Sequence, residues 1–338
     1  MNGRSSRRRF VQGVGAASAV LLAGCGRLLW PGQTPSASRV PRIGMLWPTH
    51  EAYPRNNNEA FAQGLQELGY VEGHNILIER RYAEGQAARL PELVAELIHL
   101  PVDLIVAAGV LSIRAARDMT ATLPIVMVIA NEPVREGLVA SLARPGGNVT
   151  GLSQMNVQLT GKQLELLKDM VPGLSRVALL WDPTLPGRAY ELQEIEAAAQ
   201  ALGLRVQALE ARTPEELEAA FAAAAPGRTD GLLLQNSALN TVHLARIAEW
   251  AARNRLPTMS GYPEFAADGG LMGYGPDRAD QWRRAATYVD KILKGTKPAD
   301  LPVEQPMRFK FVINLKTAQM LGLTIPPHVL LQATEVIQ

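Results

Sequence analysis

Residues 43–49 read IGMLWPT and residues 177–184 read VALLWDPT, and our fold prediction starts from these two stretches. Each is an apolar run of strand length that ends in a tryptophan, Trp47 or Trp181, and is followed by a proline turn. A buried strand followed by such a turn is the beginning of a β-α unit, so we expect the same unit at both places.

Further matches between the two halves of the chain share the spacing of the two tryptophans. QELG at residues 66–69 returns as QALG at residues 200–203, at the same separation in sequence. LP at residues 123–124 returns at residues 256–257, at nearly the same separation. A common offset predicts two lobes of one topology. The alternative is that all β-α units use the same Leu, Gly and Pro punctuation.

Strand-like and helix-like patterns alternate along the chain, which predicts an α/β fold of two doubly wound parallel-sheet lobes. The predicted strands are residues 43–47, 76–80, 104–108, 125–129, 149–152, 177–181, 205–209, 231–234 and 258–260. The predicted helices are residues 58–68, 90–99, 159–170, 190–202, 214–225, 242–254 and 277–295.

Two lobes that face each other form a cleft outside the carboxyl ends of their strands. We expect the chain to cross between lobes near residues 149–155, 261–275 and 305–311. The first lobe is then residues 41–152 plus about 268–303, and the second is about 153–267 plus 304–338.

Residues 1–24 have the organisation of an export signal. Residues 6–12 read SRRRFVQ, which resembles the twin-arginine export motif, and a short apolar stretch follows. That stretch ends in LAGC, which resembles a lipobox, so we expect cleavage after Gly24 and lipid attachment to Cys25. Residues 25–40 are then a flexible tether to the membrane. The alternative is a cytoplasmic protein whose single cysteine falls there by chance.

Charge and residue content exclude several classes of function. Residues 1–24 contain four arginines and no acid, so the rest of the chain carries 30 basic and 32 acidic residues. This near-neutral charge, without a basic cluster, predicts no nucleic-acid partner. One cysteine and five scattered histidines predict neither a metal site nor a cofactor. No nucleophile–base motif is found, so we do not expect an enzyme.

Several longer runs of residues resemble the ABC-transporter substrate-binding family typified by tryptophan-type binding proteins. They are ELGYVEG at 67–73, LVASLARPGGNVTG at 138–151, GGLM at 269–272, ATYVDKILKG at 286–295 and VINLKTA at 312–318. The resemblance extends from about Arg42 to Gln338. It implies a type I periplasmic-binding-protein fold, with three crossovers around a central cleft.

The candidate ligand-binding residues follow predicted strands or lie on the second crossover. They are Trp47, Thr49, Gly109, Ser112, Asn131, Glu132, Trp181, Asp182, Asn236, Tyr262, Glu264 and Tyr274. The last three lie on the crossover, a region that often lines the floor of such clefts.

Aromatic rings and a helix start suggest how a ligand would be held. Trp47 and Trp181 occupy equivalent rims, so that closure could sandwich a planar ligand; alternatively, each caps the core of its lobe. Gly109 and Ser112 precede a helix, whose free N–H groups and dipole favour a carboxylate. Ser112 could instead serve only as an N-cap.

Polar groups at other strand ends could bind the rest of the ligand. Glu132 and Asp182 are the carboxylates that we expect to receive an ammonium group, although each could equally cap a helix or pair across the cleft. Asn131, Asn236 and Ser237 can supply neutral hydrogen bonds.

Taken with the resemblance, these features predict an exported, lipid-anchored receptor for an amino-acid-like small molecule, aromatic in some members of the family. We expect a monomer that is anchored by the lipid on Cys25 and delivers its ligand to an ABC permease and its ATPase subunit. The alternative is an extracytoplasmic sensor of the same fold that partners a membrane receptor instead of a permease.

Overall fold

The computed structural model describes residues 39–51, 55–224 and 227–338, and the part from Val40 to Gln338 is one compact unit. The predicted export signal, Cys25 and the tether up to residue 38 lie outside the described residues. Within the described part of the chain, no helix combines the length and apolarity needed to cross a membrane.

The first lobe contains a five-stranded parallel sheet in the order β2-β1-β3-β4-β5. Its strands are Arg42–Trp47 (β1), Leu77–Tyr82 (β2), Leu104–Ala108 (β3), Ile125–Asn131 (β4) and Val149–Gln154 (β5), and its first helices are Arg55–Glu67 (α1), Leu90–His99 (α2) and Gly109–Met119 (α3). The β3 sequence LIVAA is buried throughout, as expected for a parallel strand covered by helices on both faces.

The second lobe contains a seven-stranded sheet in the order β12-β11-β10-β9-β8-β6-β7. Its strands are Arg176–Trp181 (β6), Arg205–Glu210 (β7), Gly231–Leu234 (β8), Thr258–Ser260 (β9), Met272–Pro276 (β10), Phe309–Asn314 (β11) and Glu335–Ile337 (β12). The remaining helices in chain order are Asn156–Met170 (α4), Arg188–Ala201 (α5), Pro214–Ala223 (α6), Ala238–Val242 (α7), Leu244–Arg253 (α8), Arg278–Leu293 (α9), Leu315–Leu321 (α10) and Pro327–Leu330 (α11).

The predicted α/β class with two doubly wound lobes is confirmed. The order β7-β6-β8-β9-β10 repeats β2-β1-β3-β4-β5, strand for strand, before β11 and β12 extend the second sheet. Trp47 and Trp181 end the equivalent strands β1 and β6. The common spacing of the sequence matches therefore reflects the same topology in both lobes.

The second crossing lies later in the chain than the sequence predicts. Residues from about 268 to 303 are predicted to lie in the first lobe, but β10 pairs in the second sheet, parallel with β9 and antiparallel with β11. In the sequence, the glycine-rich run at residues 269–275 suggests a bend. In the structure, Gly273 and Gly275 instead let β10 lie close to the backbone of residues 261–263, because a Cβ on either glycine would overlap backbone atoms there. The chain returns to the first lobe at α9, and Trp282 and Leu301 enter the core there.

The first and third crossings run side by side between the lobes. The Ser153 N–H donates to the Glu304 carbonyl at 2.9 Å, and the Glu304 N–H donates to the Gly151 carbonyl at 3.0 Å. Gly151 has φ +132°, and a Cβ there would overlap the backbone of Met127. This position therefore needs glycine, and the paired strands connect the two lobes at the base of the cleft.

Candidate ligand-binding cleft

A cavity of about 110 Å³ lies between the two lobes, at the carboxyl ends of their parallel strands. Open α/β sheets bind ligands at this edge because the loops there diverge and leave a crevice. The lining residues are Trp47, Pro48, Thr49, Ala108, Gly109, Val110, Leu111, Ile129, Asn131, Gln154, Leu185, Pro186, Arg188, Glu191, Asn236, Ser237, Ala238, Thr241, Tyr262 and Arg278. Both lobes therefore contribute to one cavity.

Apolar and aromatic side chains form a large part of the cavity wall. The Trp47 indole stacks on Trp282 of α9, with ring centroids 4.4 Å apart and an interplanar angle of 24°. The Phe61 ring packs edge-on against Trp282, with ring centroids 6.2 Å apart. An engineered apolar cavity of ~150 Å³ binds benzene, so the cleft is of the size of one aromatic ring.

Polar atoms without partners are concentrated at this cavity. Twelve buried side-chain polar atoms lack a hydrogen-bond partner within the described chain, and six belong to cavity residues. These six are Trp47 Nε1, Thr49 Oγ1, Asn131 Oδ1, Gln154 Oε1, Arg188 Nε and Asn236 Oδ1. Because buried polar groups are normally satisfied, this concentration is typical of a site that binds a polar ligand.

Helix α3 begins at the cavity. Its first residue, Gly109, has φ +74°, and Ala108 at the N-cap position has no side chain that could accept a hydrogen bond. Gly109, Val110 and Leu111 all line the cavity. The unpaired N–H groups of the first turn and the positive end of the helix dipole therefore face it, an arrangement that suits a carboxylate.

The opposite wall contains a buried ion pair on the first turn of α5. Arg188 and Glu191 are each 3 % exposed, and the Arg188 guanidinium donates to the Glu191 carboxylate. It also donates to the Gln235 side chain and to the Asn236 carbonyl. Burial raises the pKa of Glu191, whereas Arg188 acts to lower it.

Arg278, at the start of α9, brings a second guanidinium to the cavity. Its Cζ lies 4.3 Å from the ring centroid of Tyr262, which also lines the cavity. The Tyr262 hydroxyl donates to the Ser237 carbonyl at 3.3 Å. This cation–π contact orients both side chains at the floor of the cleft.

Contacts across the mouth of the cleft hold the lobes together. The Arg135 guanidinium of the first lobe lies 3.6 Å from the ring centroid of Tyr190 in α5. Gln158 of α4 donates to the Glu132 carboxylate at 3.0 Å. Glu136, paired with Arg114, contacts the backbone at Gly187, where a Cβ would lie 2.5 Å from Glu136 Oε1. The cleft is therefore closed in this structure.

Half of the residues predicted for the site lie together on the cavity wall. They are Trp47, Thr49, Gly109, Asn131, Asn236 and Tyr262. Ser237, predicted as a neutral hydrogen-bonding group, lies there too. All of them follow the carboxyl ends of strands, the edge from which the sequence analysis took its candidates.

The remaining six are Ser112, Glu132, Trp181, Asp182, Glu264 and Tyr274, and they are not among the lining residues. Trp181 is 6 % exposed and packs in the core of the second lobe. Asp182 accepts hydrogen bonds from the N–H and hydroxyl of Thr184, so it stabilises its own turn.

The other four also lie outside the cavity wall. Ser112 is buried within the first turn of α3, and Glu132 accepts from Gln158 at the mouth. The Tyr274 ring packs against two phenylalanines of β11, and Glu264 is exposed.

The charged cavity residues Arg188, Glu191 and Arg278 are not among the candidates predicted from sequence. They lie in the first turns of helices α5 and α9, just beyond the loops from which the candidates were taken. The i, i+3 spacing of Arg188 and Glu191 was a possible signal, but it is also common on exposed helix faces.

The family comparison matches residues 50–337 to the ABC transporter substrate binding proteins. The chain belongs to this family. Its members are solute-binding proteins that act outside the cytoplasm as parts of ABC transporters. Of the curated relatives, a tyrosine-binding protein of Clostridioides difficile (strain R20291) is 25% identical over 265 residues, which are 78% of this chain and 76% of that protein.

Solved structures agree with the fold. An ABC domain from Streptococcus pneumoniae in complex with L-Trp has 26% identity and a TM-score of 0.82, covering 88% of this chain and 99% of its own. A ligand-free, open substrate binding protein with adhesive properties from Clostridium difficile has 22% identity and a TM-score of 0.66 over the same shares.

Proposed function

We propose that this protein captures an amino-acid-like molecule, with an aromatic amino acid as the leading candidate, and delivers it to an ABC importer. The observation that carries the proposal is the closed cavity, in which unpartnered buried polar atoms from both lobes surround a ring-sized apolar space. The tyrosine-binding and L-Trp-bound relatives support the choice of ligand class.

The cavity offers a separate place for each part of such a ligand. The α3 N-terminus and the Thr49 hydroxyl receive the carboxylate, and Trp47 and Ile129 contact the ring. Asn131 and Asn236 accept further hydrogen bonds. A ligand that contacts both lobes stabilises the closed form, since only differential affinity for that form can drive closure.

Binding is tested with the processed chain, purified gently and analysed by mass spectrometry for co-purifying small molecules. Isothermal titration calorimetry then measures the dissociation constants of L-tyrosine, L-tryptophan and L-phenylalanine. We expect at least one to bind and to raise the melting temperature, because a ligand at 100 times its Kd adds ~2.7 kcal/mol to stability. A sugar or polyol as the only bound compound would overturn the proposal.

We also propose that the protein is a lipoprotein exported by the twin-arginine route. The motif at residues 6–12 and the LAGC stretch support this. Cys25→Ser is expected to abolish incorporation of radioactive palmitate, and continued labelling would contradict the lipobox. The double variant Arg7→Lys, Arg8→Lys is expected to leave precursor in the cytoplasm, and undiminished export would contradict the twin-arginine route.

A further inference from the structure

The buried pair of Arg188 and Glu191 calls for a functional explanation. Removing two charges from water costs several kcal/mol for each ion, and a single contact between them seldom restores all of it. Apolar residues would stabilise α5 at least as well. The pair lies on the wall of the ligand cavity, and a buried charged group in a cleft marks a recognition site.

The hydrogen bonds of the pair are unevenly distributed. Arg188 donates to Glu191, to the Gln235 side chain and to the Asn236 carbonyl, so the guanidinium is anchored from three directions. Glu191 accepts this bond through Oε2, and none of the hydrogen bonds of the described residues involves its Oε1. A carboxylate accepts from several donors, and Glu191 therefore has capacity for another.

The surroundings of Glu191 favour an additional cation. It is the only carboxylate among the described residues that line the cavity. Burial raises the pKa of Glu191, and although Arg188 opposes this effect, the nearby carboxylates of Glu132 and Glu136 add to it. A cation bound at Glu191 would replace part of the lost hydration and offset this repulsion.

We propose that Glu191 receives the α-ammonium group of the ligand, so that the protein selects amino acids over the corresponding carboxylic acids. This inference rests on the proposed function. Arg188 acts as a positioning residue that holds the carboxylate in place. With the ligand carboxylate at the α3 N-terminus in the first lobe and its ammonium at Glu191 in the second, a single ligand joins both lobes.

The first test uses the unaltered protein and matched ligand pairs. Calorimetry compares L-tyrosine with 3-(4-hydroxyphenyl)propanoate, L-tryptophan with indole-3-propanoate, and L-phenylalanine with 3-phenylpropanoate. We expect each acid without the amino group to bind roughly 10- to 100-fold more weakly, which is the range for a lost hydrogen bond to a charged group. Equal affinity within a pair would overturn the inference, and this arm needs no variant to fold.

The second test is Glu191→Gln, with Glu194→Gln on the exposed side of the same helix as a control. Glu191→Gln is expected to weaken the amino acid roughly 10- to 100-fold and the deaminated acid by less than threefold. An equal loss for both ligands would mean that Glu191 only supports Arg188, and no loss for either would remove it from the site. Failure of every amino acid to bind the unaltered protein would instead refute the proposed function, and the inference with it.

Discussion

Trp47 and Trp181 end equivalent strands in two lobes of the same topology, yet their surroundings differ. Trp47 lines the cavity and stacks on Trp282, which a later segment of the chain brings to the first lobe. Trp181 packs in the core of the second lobe. In that lobe, the cavity is lined instead by residues that follow it in the chain, among them Leu185 and the α5 residues Arg188 and Glu191. Equivalent positions in a repeated topology therefore need not share a function.

A second pair of equivalent residues lies at the opposite ends of the same strands. The Arg42 N–H donates to Asp103 at 2.7 Å, and the Arg176 N–H donates to Asp230 at 2.9 Å. The Arg42 side chain pairs with Glu79, whereas the Arg176 side chain binds Asp230 itself. The backbone arrangement is repeated, but the side chains are used differently.

The largest expected effect separates the two tryptophans. Trp181→Ala is expected to lower the free energy of unfolding by ~3–5 kcal/mol and to leave the Kd unchanged, because it opens a cavity in the core. Trp47→Ala is expected to reduce both stability and affinity, since this ring also lines the ligand cavity. Urea denaturation and calorimetry on both variants measure the two quantities.

Milder substitutions keep this comparison usable if an alanine variant does not fold. Trp181→Phe retains most of the core volume, and Trp47→Phe retains a ring at the cavity. A loss of affinity in the Trp181 variant as large as in the Trp47 variant would show that both lobes use their tryptophan for binding.

The next effect concerns closure. Gly187→Ala is expected to weaken ligand binding roughly tenfold, or about 1.4 kcal/mol, because its Cβ would meet Glu136 only when the lobes are closed. Gly203→Ala is the matched control, since Gly203 has a similar φ of +68° but open space around it. Calorimetry gives the affinities, and small-angle scattering should show a larger radius of gyration for liganded Gly187→Ala. Equal affinity of the two variants would contradict this role.

A smaller effect concerns Asp230, which binds the Arg176 side chain in the second lobe. In the first lobe, the equivalent Arg42 side chain pairs with Glu79 instead. Hydrogen bonds from the Arg176 side chain and from Ser175 hold the pKa of Asp230 well below its usual value. The stabilisation is therefore present above the unfolded pKa of ~3.9 and is lost as the pH falls towards the folded value. Asp230→Asn is expected to cost about 1 kcal/mol at neutral pH.

Denaturation curves from pH 3 to pH 7 measure this effect, with the pH values chosen to bracket ~3.9. The difference between the unaltered protein and Asp230→Asn should narrow as the pH decreases. A constant difference over that range would show that the ionised carboxylate contributes no pH-dependent stability.

The smallest expected effect is that of the cation–π contact at the mouth of the cleft. Arg135→Ala is expected to weaken ligand binding about two- to fivefold, because an exposed contact of this kind contributes ~0.5–1 kcal/mol. Arg117→Ala is the control, since Arg117 bonds within the first lobe to Gly137 and Asp118. Calorimetry measures the Kd of both variants. Identical affinities would show that the Arg135–Tyr190 contact does not contribute to closure.

Most strands and helices could be predicted because their signals are local. Leu104–Ala108, Gly231–Leu234, Thr258–Ser260 and Leu90–His99 have the predicted bounds. A helix after Gly109 was expected, but its bounds were not predicted, because the sequence GVLSIRAARDM begins with a glycine that also suits a loop. Strands β10 to β12 were missed, since their pairing depends on partners that come from separate segments of the chain.

The α/β class, the two lobes and the edge at which a ligand would bind could all be inferred from sequence, because hydrophobic period and turn residues act over a few positions. Which side chains face the cavity depends on long-range packing instead. Arg188 and Glu191 lie within the cleft because closure brings α5 against the first lobe, and Trp47 is set apart from Trp181 because α9 returns to stack on it. These contacts join residues far apart in sequence, whose proximity leaves no local pattern.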